Sequence, residues 1–154
     1  MAENIEQVLA EKGVYVSTTV GTSMRPMLRT RRDRVVILPK TEERLKKYDL
    51  PLYRTTDGRY LLHRVIKVAD GHYVIRGDNT YKKEYIPESR ILGYVSEFYR
   101  KGKHVKSDSR AYRAYAAFWN FLYPIRALIH WCMMLAWKCV RPIVRKIKPR
   151  TTEA

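Results

Sequence analysis

The segment RYLLHRVIKVADGHYVIRGDN, residues 59–79, decides the fold class. Two runs rich in valine, isoleucine, leucine and tyrosine flank the pair Asp70-Gly71. Such runs on either side of an Asp-Gly turn predict a β-hairpin. Four further runs read as strands: VYVSTTV, RVVILP, LPLYR and RILGYVSEFYR. The sequence therefore predicts a mainly β fold, a small antiparallel sheet with a barrel-like curl.

Helices are predicted at both ends of this β domain. MAENIEQVLAEKG suits a short helix with Asn4 as N-cap and Gly13 as its end, and it lacks the apolar run of a secretory signal. From about residue 107 the composition becomes helical; Pro124 suits a first turn, and Pro142 is expected to kink the end. The predicted organisation is a β domain at 1–106, a helical segment at 107–148 and a polar tail at 149–154.

The basic charge is concentrated in the C-terminal third. The chain has 31 Lys and Arg against 15 Asp and Glu, a net charge of +16, and only two of the acidic residues follow Arg100. Six polar or basic residues share one arc of about 120° on a helical projection: Arg126, His130, Lys138, Arg141, Arg145 and Lys148. A basic amphipathic helix with Trp131 and Trp137 is typical of a segment lying in a membrane surface.

Other interpretations of this segment stay open. Packing on its own domain or on a partner would also cover the apolar side, and residues 114–137 are long enough to span a bilayer. Four residues interrupt such a span: Asn120, Pro124, Arg126 and His130. Nucleic acid is not the expected partner, because eight aromatic residues are embedded in aliphatic sequence.

Cys132 and Cys139 are separated by two helical turns. That spacing places the two sulfur atoms too far apart for a disulfide, and it is not a metal-binding spacing. Both cysteines are therefore expected to be free thiols. The chain contains no zinc, calcium or nucleotide motif.

Three segments carry residues suited to a nucleophile, a base and an orienting acid: Ser23 in GTSMRP, His63 in LLHRVIKV, and Asp78 and Glu84 in IRGDNTYKKEY. A serine hydroxyl is a weak nucleophile until a base takes its proton, and imidazole titrates in the right range. A carboxylate then fixes the imidazole tautomer. Taken singly, His63 reads as a strand histidine and Ser23 as a turn serine, while Met24 and Met27 look exposed.

Taken in order, these segments resemble the signal peptidase I family, in the branch that uses a serine–histidine pair. That family has S-M-x-P at the nucleophile, here residues 23–26, then H-R-V-I, here residues 63–66. G-D-N follows, here residues 77–79, and then a glycine-containing strand, here ILGYVSEF. The resemblance covers roughly residues 14–98.

The resemblance implies a role for each matching residue. Ser23 would be the nucleophile and His63 the general base, with no cofactor. Met24 would pack near the substrate, and Pro26 would stiffen the turn. Asp78 and Glu84 match the family's two acidic positions, and either would reach His63 to orient it.

The chain departs from the family pattern at two places. Many members carry a serine two residues before the nucleophile, where this chain has Gly21. The oxyanion would then depend on the backbone N–H of Ser23, with help from Thr22. Members also have a transmembrane helix before the serine, whereas the apolar segment here is C-terminal. The catalytic domain is therefore expected on the cytoplasmic side, held at the membrane by its C-terminal helix.

The function expected from these residues is that of a serine endopeptidase of the signal peptidase type, acting on a precursor peptide or protein. A catalytically inactive adaptor on the same fold, working at the membrane surface, is the alternative. Gly21 favours the adaptor, and the joint presence of Ser23, His63 and Asp78 favours the enzyme.

Overall fold

The computed structural model describes residues 5–147, the last six of them by their backbone alone. The helices and strands in chain order are α1 (Ile5–Lys12), β1 (Tyr15–Thr18), β2 (Arg34–Pro39), β3 (Pro51–Arg54), β4 (Tyr60–Leu62), β5 (Arg64–Ala69), β6 (His72–Arg76), β7 (Glu84–Pro87), β8 (Ile91–Arg100), β9 (Lys103–Lys106), α2 (Arg110–Phe121) and α3 (Tyr123–Ile147). A 3-10 turn, Glu88–Arg90, precedes β8.

All strand pairs are antiparallel and form two sheets. The larger sheet has the order β1-β2-β8-β3-β4, with β9 added to β8, and the smaller has the order β5-β6-β7. Together they form a curled half-barrel with a short N-terminal helix and two C-terminal helices. The predicted fold class is confirmed.

The predicted strand RYLLHRVIKV is divided at His63. β4 pairs with β3 in the larger sheet, whereas β5 pairs with β6 in the smaller one. The prediction that His63 lies inside a strand is therefore wrong: it is the link between the sheets. Apolar residues lie on both sides of His63 in the sequence, so the pattern alone does not reveal the change of sheet.

Two apolar cores stabilise the sheets. One lies on the inner side of the larger sheet, where Val35 and Ile37 of β2 pack with Leu9 of α1. The second joins the sheets and is centred on Tyr53, Val65, Tyr73 and Ile75. α1 ends as predicted at Gly13, whose φ is +67° and whose N–H donates to the Leu9 carbonyl. The predicted N-cap, Asn4, lies outside the described residues.

α2 packs on the β domain through the buried residues Tyr112 and Ala116. The chain divides into two compact units after Asn120, so α2 belongs with the sheets almost entirely. The sequence analysis places this helix in the C-terminal segment, because the composition becomes helical from about residue 107.

α3 begins at Tyr123 with Pro124 in its first turn, as predicted, and it continues past Pro142 to Ile147. Its apolar side chains are exposed over most of its length, and Cys132 and Cys139 are free and exposed. Among residues 5–147 there is no helix whose length and hydropathy would let it cross a bilayer. The predicted polar tail, 149–154, lies outside the described residues.

Candidate active site

The smaller sheet brings three of the expected site residues to one of its ends. Arg64 pairs with Arg76, and Ile75 pairs with Glu84. The start of β5, the end of β6 and the start of β7 therefore lie side by side. His63 precedes β5, Asp78 follows β6 and Glu84 opens β7, so antiparallel pairing explains why residues distant in sequence meet.

Ser23 joins this end of the smaller sheet through its backbone, although it lies between β1 and β2. Its carbonyl oxygen accepts a hydrogen bond from the Asn79 N–H at 2.7 Å, and the Thr22 carbonyl accepts from Asn79 Nδ2 at 3.3 Å. The turn contains a cis peptide bond between Arg25 and Pro26. Thus the G-D-N loop holds the turn that presents Ser23.

Gly77 is the point where the Ser23 turn and His63 come together. A Cβ atom on Gly77 would lie 2.8 Å from the Ser23 carbonyl oxygen and 3.1 Å from His63 Cδ2. Such distances are too short for a side chain, so glycine is required for this close approach. Sequence reasoning gave Gly77 no role, and only its place in the G-D-N motif could have suggested one.

The Nδ1 side of the His63 ring faces Glu84 and Tyr53. Nδ1 lies 3.0 Å from Glu84 Oε1 and 2.9 Å from Tyr53 Oη. The Tyr53 hydroxyl donates to Glu84 Oε2 at 2.8 Å. Glu84, and not Asp78, is therefore the carboxylate in contact with the imidazole.

The Nε2 side of the ring is buried and has no hydrogen-bond partner among the described residues. The Ser23 hydroxyl therefore does not hydrogen-bond to His63 in this structure. Burial lowers the pKa of His63, and the nearby charge of Glu84 opposes that effect only in part. A neutral imidazole held from its Nδ1 side, with Nε2 unpartnered, has the protonation state that a general base needs.

Asp78 has a different partner. Its two carboxylate oxygens accept hydrogen bonds from Arg64 Nε and Nη2, both at 2.7 Å, and both side chains are almost fully buried. Burial acts against the charged guanidinium, but the hydrogen bonds and charge of Asp78 outweigh it and raise the pKa of Arg64. Asp78 thus anchors the G-D-N loop to β5 beside His63.

α2 adds two hydrogen bonds to this buried ion pair. Arg64 Nη1 donates to Tyr112 Oη at 2.8 Å, and Trp119 Nε1 donates to the Asp78 carbonyl at 3.0 Å. Arg64 Nη2 also donates to the Met27 sulfur at 2.9 Å.

Met24 and Met27 are both buried, so the expectation that they are exposed is wrong. Their sulfur and methylene groups fill the core beneath the Ser23 turn, as suits flexible methionine.

A cleft of about 230 Å³ opens beside Ser23. Its walls come from α1, β1, β2, β3 and β4, and Met24 lines it next to Ser23. Within the larger sheet β1 pairs only with β2 and β4 only with β3, so both cleft strands are sheet edges. The cleft therefore has apolar walls and unpaired backbone groups next to the serine.

The residues expected to bind an oxyanion lie as follows. The Ser23 N–H makes no hydrogen bond within the described part of the chain, and Thr22 is exposed. Gly21 has a φ of +100°, which disfavours the serine that many signal peptidases carry there. Pro26 is exposed, and its carbonyl accepts a hydrogen bond from Arg100.

No group of three or more histidine, cysteine, aspartate or glutamate side chains suited to a metal ion lies within residues 5–147. No protein-family model matches the chain, and no curated protein matches it either. The family assignment therefore stays a proposal, argued from the motifs and from the geometry of the site.

Proposed function

We propose that this chain is a serine endopeptidase of the signal peptidase type. The observation that carries the proposal is the state of His63: its Nδ1 side faces Glu84 at 3.0 Å, and its Nε2 is buried without a partner. The Ser23 turn meets the same ring at Gly77. The Ser23 carbonyl, the His63 ring and the Thr80 side chain all lie against Gly77, and of the two hydroxyl-bearing residues Ser23 is the one that the S-M-x-P motif assigns as nucleophile.

The reaction follows from the chemistry of this pair. Ser23 Oγ attacks the scissile carbonyl while His63 Nε2 takes its proton, and the oxyanion accepts a hydrogen bond from the Ser23 N–H. His63 then gives the proton to the leaving amine. Water, activated by the same nitrogen, hydrolyses the acyl-enzyme. Glu84 stabilises the imidazolium that forms in both steps.

The substrate is a peptide segment in an extended conformation. The unpaired edges of β1 and β4 offer backbone donors and acceptors to such a segment, and the apolar walls between them take its side chains. The resemblance to signal peptidases implies small residues at the cleavage point of a precursor.

Cleavage of a peptide panel tests this proposal. The purified full chain in detergent is mixed with signal-peptide-like peptides, and products are identified by mass spectrometry. Ser23→Ala and His63→Ala are expected to lower the rate by about 10⁴-fold or more. The matched controls are Ser89→Ala, an exposed serine of the 3-10 turn outside the cleft, and His72→Ala, at the far end of β6. Cleavage that persists in Ser23→Ala would refute the nucleophile.

Two observations favour a non-catalytic adaptor instead. Ser23 and His63 are not hydrogen-bonded, and Gly21 offers no hydroxyl to an oxyanion. In that case the cleft binds a peptide without cleaving it. Peptide binding that is equal in wild type and Ser23→Ala, with no product from either, would favour the adaptor.

In this proposal, α3 binds the enzyme to a membrane surface. Its exposed side chains include Leu128, Trp131, Met133 and Trp137, and its sequence holds no acidic residue. An apolar surface with basic residues suits an anionic bilayer. The cytoplasmic leaflet carries negative surface potential, so the catalytic unit would work on the cytoplasmic side.

Vesicle binding tests the role of α3. The full chain should bind vesicles that contain anionic lipid more tightly than neutral ones, and added salt should weaken this binding. Lys138→Glu with Arg141→Glu should reduce it, whereas Lys101→Glu with Lys103→Glu, the same charge change on the β8–β9 hairpin, should not. Equal losses in both pairs would contradict a specific role for α3. Comparing protease digestion of the catalytic unit in intact and in lysed cells tests on which side of the membrane this unit lies.

A further inference from the structure

We infer that the Tyr53 hydroxyl is a positioning group of this site, holding the Glu84 carboxylate in the orientation that reaches His63 Nδ1. The inference rests on the proposed function, since positioning matters to catalysis only if His63 is the base. The contact of Tyr53 with Glu84 and His63 can be tested by NMR, without a cleavage assay. Sequence reasoning did not select Tyr53, which reads as an ordinary aromatic residue of a buried strand.

Three polar side chains close a ring of hydrogen bonds at this point. His63 Nδ1 is 2.9 Å from Tyr53 Oη and 3.0 Å from Glu84 Oε1, while Tyr53 Oη is 2.8 Å from Glu84 Oε2. Each carboxylate oxygen thus has a separate partner. A rotation of Glu84 would break both of its contacts at once.

The count of protons fixes the direction of each bond. Tyrosine has one hydroxyl proton, and it is donated to Glu84 because an ionised carboxylate can only accept. The Tyr53 oxygen and Glu84 Oε1 are then both acceptors towards His63 Nδ1. The proton of a neutral imidazole therefore lies on Nδ1, and Nε2 keeps the lone pair that a general base uses.

Tyr53 is suited to this role because it is the rigid member of the ring. Its side chain is fully buried in the core with Val65, Tyr73 and Ile75, whereas the Glu84 side chain is 26 % exposed. Burial, and then the hydrogen bond to Glu84, raises the pKa of Tyr53, so the hydroxyl stays protonated as a donor. A fixed phenol on β3 thereby orients a longer and more flexible carboxylate on β7.

Tyr53→Phe is the test, with Tyr73→Phe as its matched control. Both tyrosines are fully buried in the same core, but the Tyr73 hydroxyl accepts from the Leu45 N–H and is not among the contacts of His63. Imidazole nitrogen NMR, assigned with His63→Ala, reports the tautomer. We expect a persistent Nδ1–H signal in wild type and Tyr73→Phe, and its loss or broadening in Tyr53→Phe. An unchanged signal in Tyr53→Phe would overturn the inference.

Measurements of kcat and KM distinguish a positioning role of Tyr53 from a role in core packing alone. Tyr53→Phe should lower kcat by about 10-fold or more with little change in KM, as expected for a group behind the reacting residue. In a Glu84→Gln background the same substitution should have almost no further effect, because Tyr53 acts through Glu84. Additive losses in the double variant would overturn the inference.

The two proposals fail in distinguishable ways. Cleavage that survives Ser23→Ala refutes Ser23 as the nucleophile, and with it the proposed serine mechanism, while leaving the NMR result to decide on Tyr53. If Tyr53→Phe does not fold, the wild type can be used instead. In a pH titration followed by NMR, protonation of His63 should shift the resonance of the Tyr53 hydroxyl proton, because the two groups are in contact. A hydroxyl resonance that ignores this titration would overturn the inference.

Discussion

Asp78 and Glu84 both lie near His63, but they have different partners. Glu84 contacts the imidazole at 3.0 Å, whereas Asp78 binds Arg64 through both of its oxygens. The charge of Glu84 raises the pKa of His63 against the larger effect of burial. Substitutions of the two acids should therefore be separable, one acting on the base and the other on the fold.

Glu84→Gln is expected to move the acid limb of the pH–rate profile to lower pH. In wild type, burial already holds the pKa of His63 below its ordinary value of about 6.5, so kcat/KM should rise with pH below that value. Removal of the Glu84 charge lowers the pKa further, and kcat falls because the imidazolium loses its partner. The measurement is kcat/KM against pH for cleavage of the best peptide.

Asp78→Asn is the matched comparison for Glu84→Gln. It leaves a buried guanidinium without its carboxylate and should cost about 3–5 kcal/mol of unfolding free energy. Glu84→Gln should cost far less, because its side chain is partly exposed. Denaturant unfolding measures both. A movement of the acid limb to higher pH in Glu84→Gln would contradict this account.

Gly77→Ala is expected to lower both activity and stability. The added methyl group would collide with the Ser23 carbonyl and approach His63 closely, so the Ser23 turn must move away. Overpacking of this kind typically costs about 1–3 kcal/mol. Gly71→Ala is the control: its Cβ meets open space, but its φ of +66° is strained, so only stability should fall. Full activity in Gly77→Ala would contradict the close approach.

At the scale of the helices and strands, α2 supports the site through hydrogen bonds to Arg64 and Asp78. The Tyr112 hydroxyl accepts from Arg64 and donates to the Tyr48 carbonyl at 2.7 Å, and burial raises the pKa of Tyr112 to about 12. Tyr48 has a φ of +80°, which is rare for a residue other than glycine. One helix residue thus supports both the buried ion pair and a strained part of the loop before β3.

Tyr112→Phe should lower the free energy of unfolding by about 1–3 kcal/mol, because Arg64 Nη1 and the Tyr48 carbonyl each lose a short hydrogen bond and keep only their own long contact of 3.4 Å. Tyr99→Phe, on the exposed side of β8, is the comparison and should change stability little. Thermal or urea unfolding of the full chain measures the difference. Equal stability of the two variants would show that the Tyr112 hydroxyl is dispensable.

The strands were predictable from sequence where apolar runs end in turns. RVVILP became β2 with its predicted bounds, and the Asp-Gly pair at 70–71 marks the β5–β6 hairpin. The break at His63, the partner of Asp78 and the role of Tyr53 were not predictable. Each depends on which sheet a strand joins, and long-range pairing leaves no local pattern in the chain.

For the molecule as a whole, the end of the first compact unit predicts where the chain can be shortened. A chain ending at Asn120 keeps α2 and its bonds to Arg64 and Asp78, so it should unfold cooperatively. A chain ending at Lys106, the boundary expected from composition, loses them and should be much less stable. Circular dichroism melts compare the two. Equal melting of both chains would contradict a structural role for α2.

The attachment of the Ser23 turn has a further consequence for how the cleft can vary. His63, Glu84 and the G-D-N loop that holds Ser23 all belong to one end of the smaller sheet, whereas the cleft walls come from α1 and the larger sheet. β1 and β4 supply none of the hydrogen-bond partners of His63, which are Tyr53 and Glu84. If the chain is the proposed peptidase, substitutions along β1 and β4 would change which peptide is recognised and leave the serine–histidine pair in place.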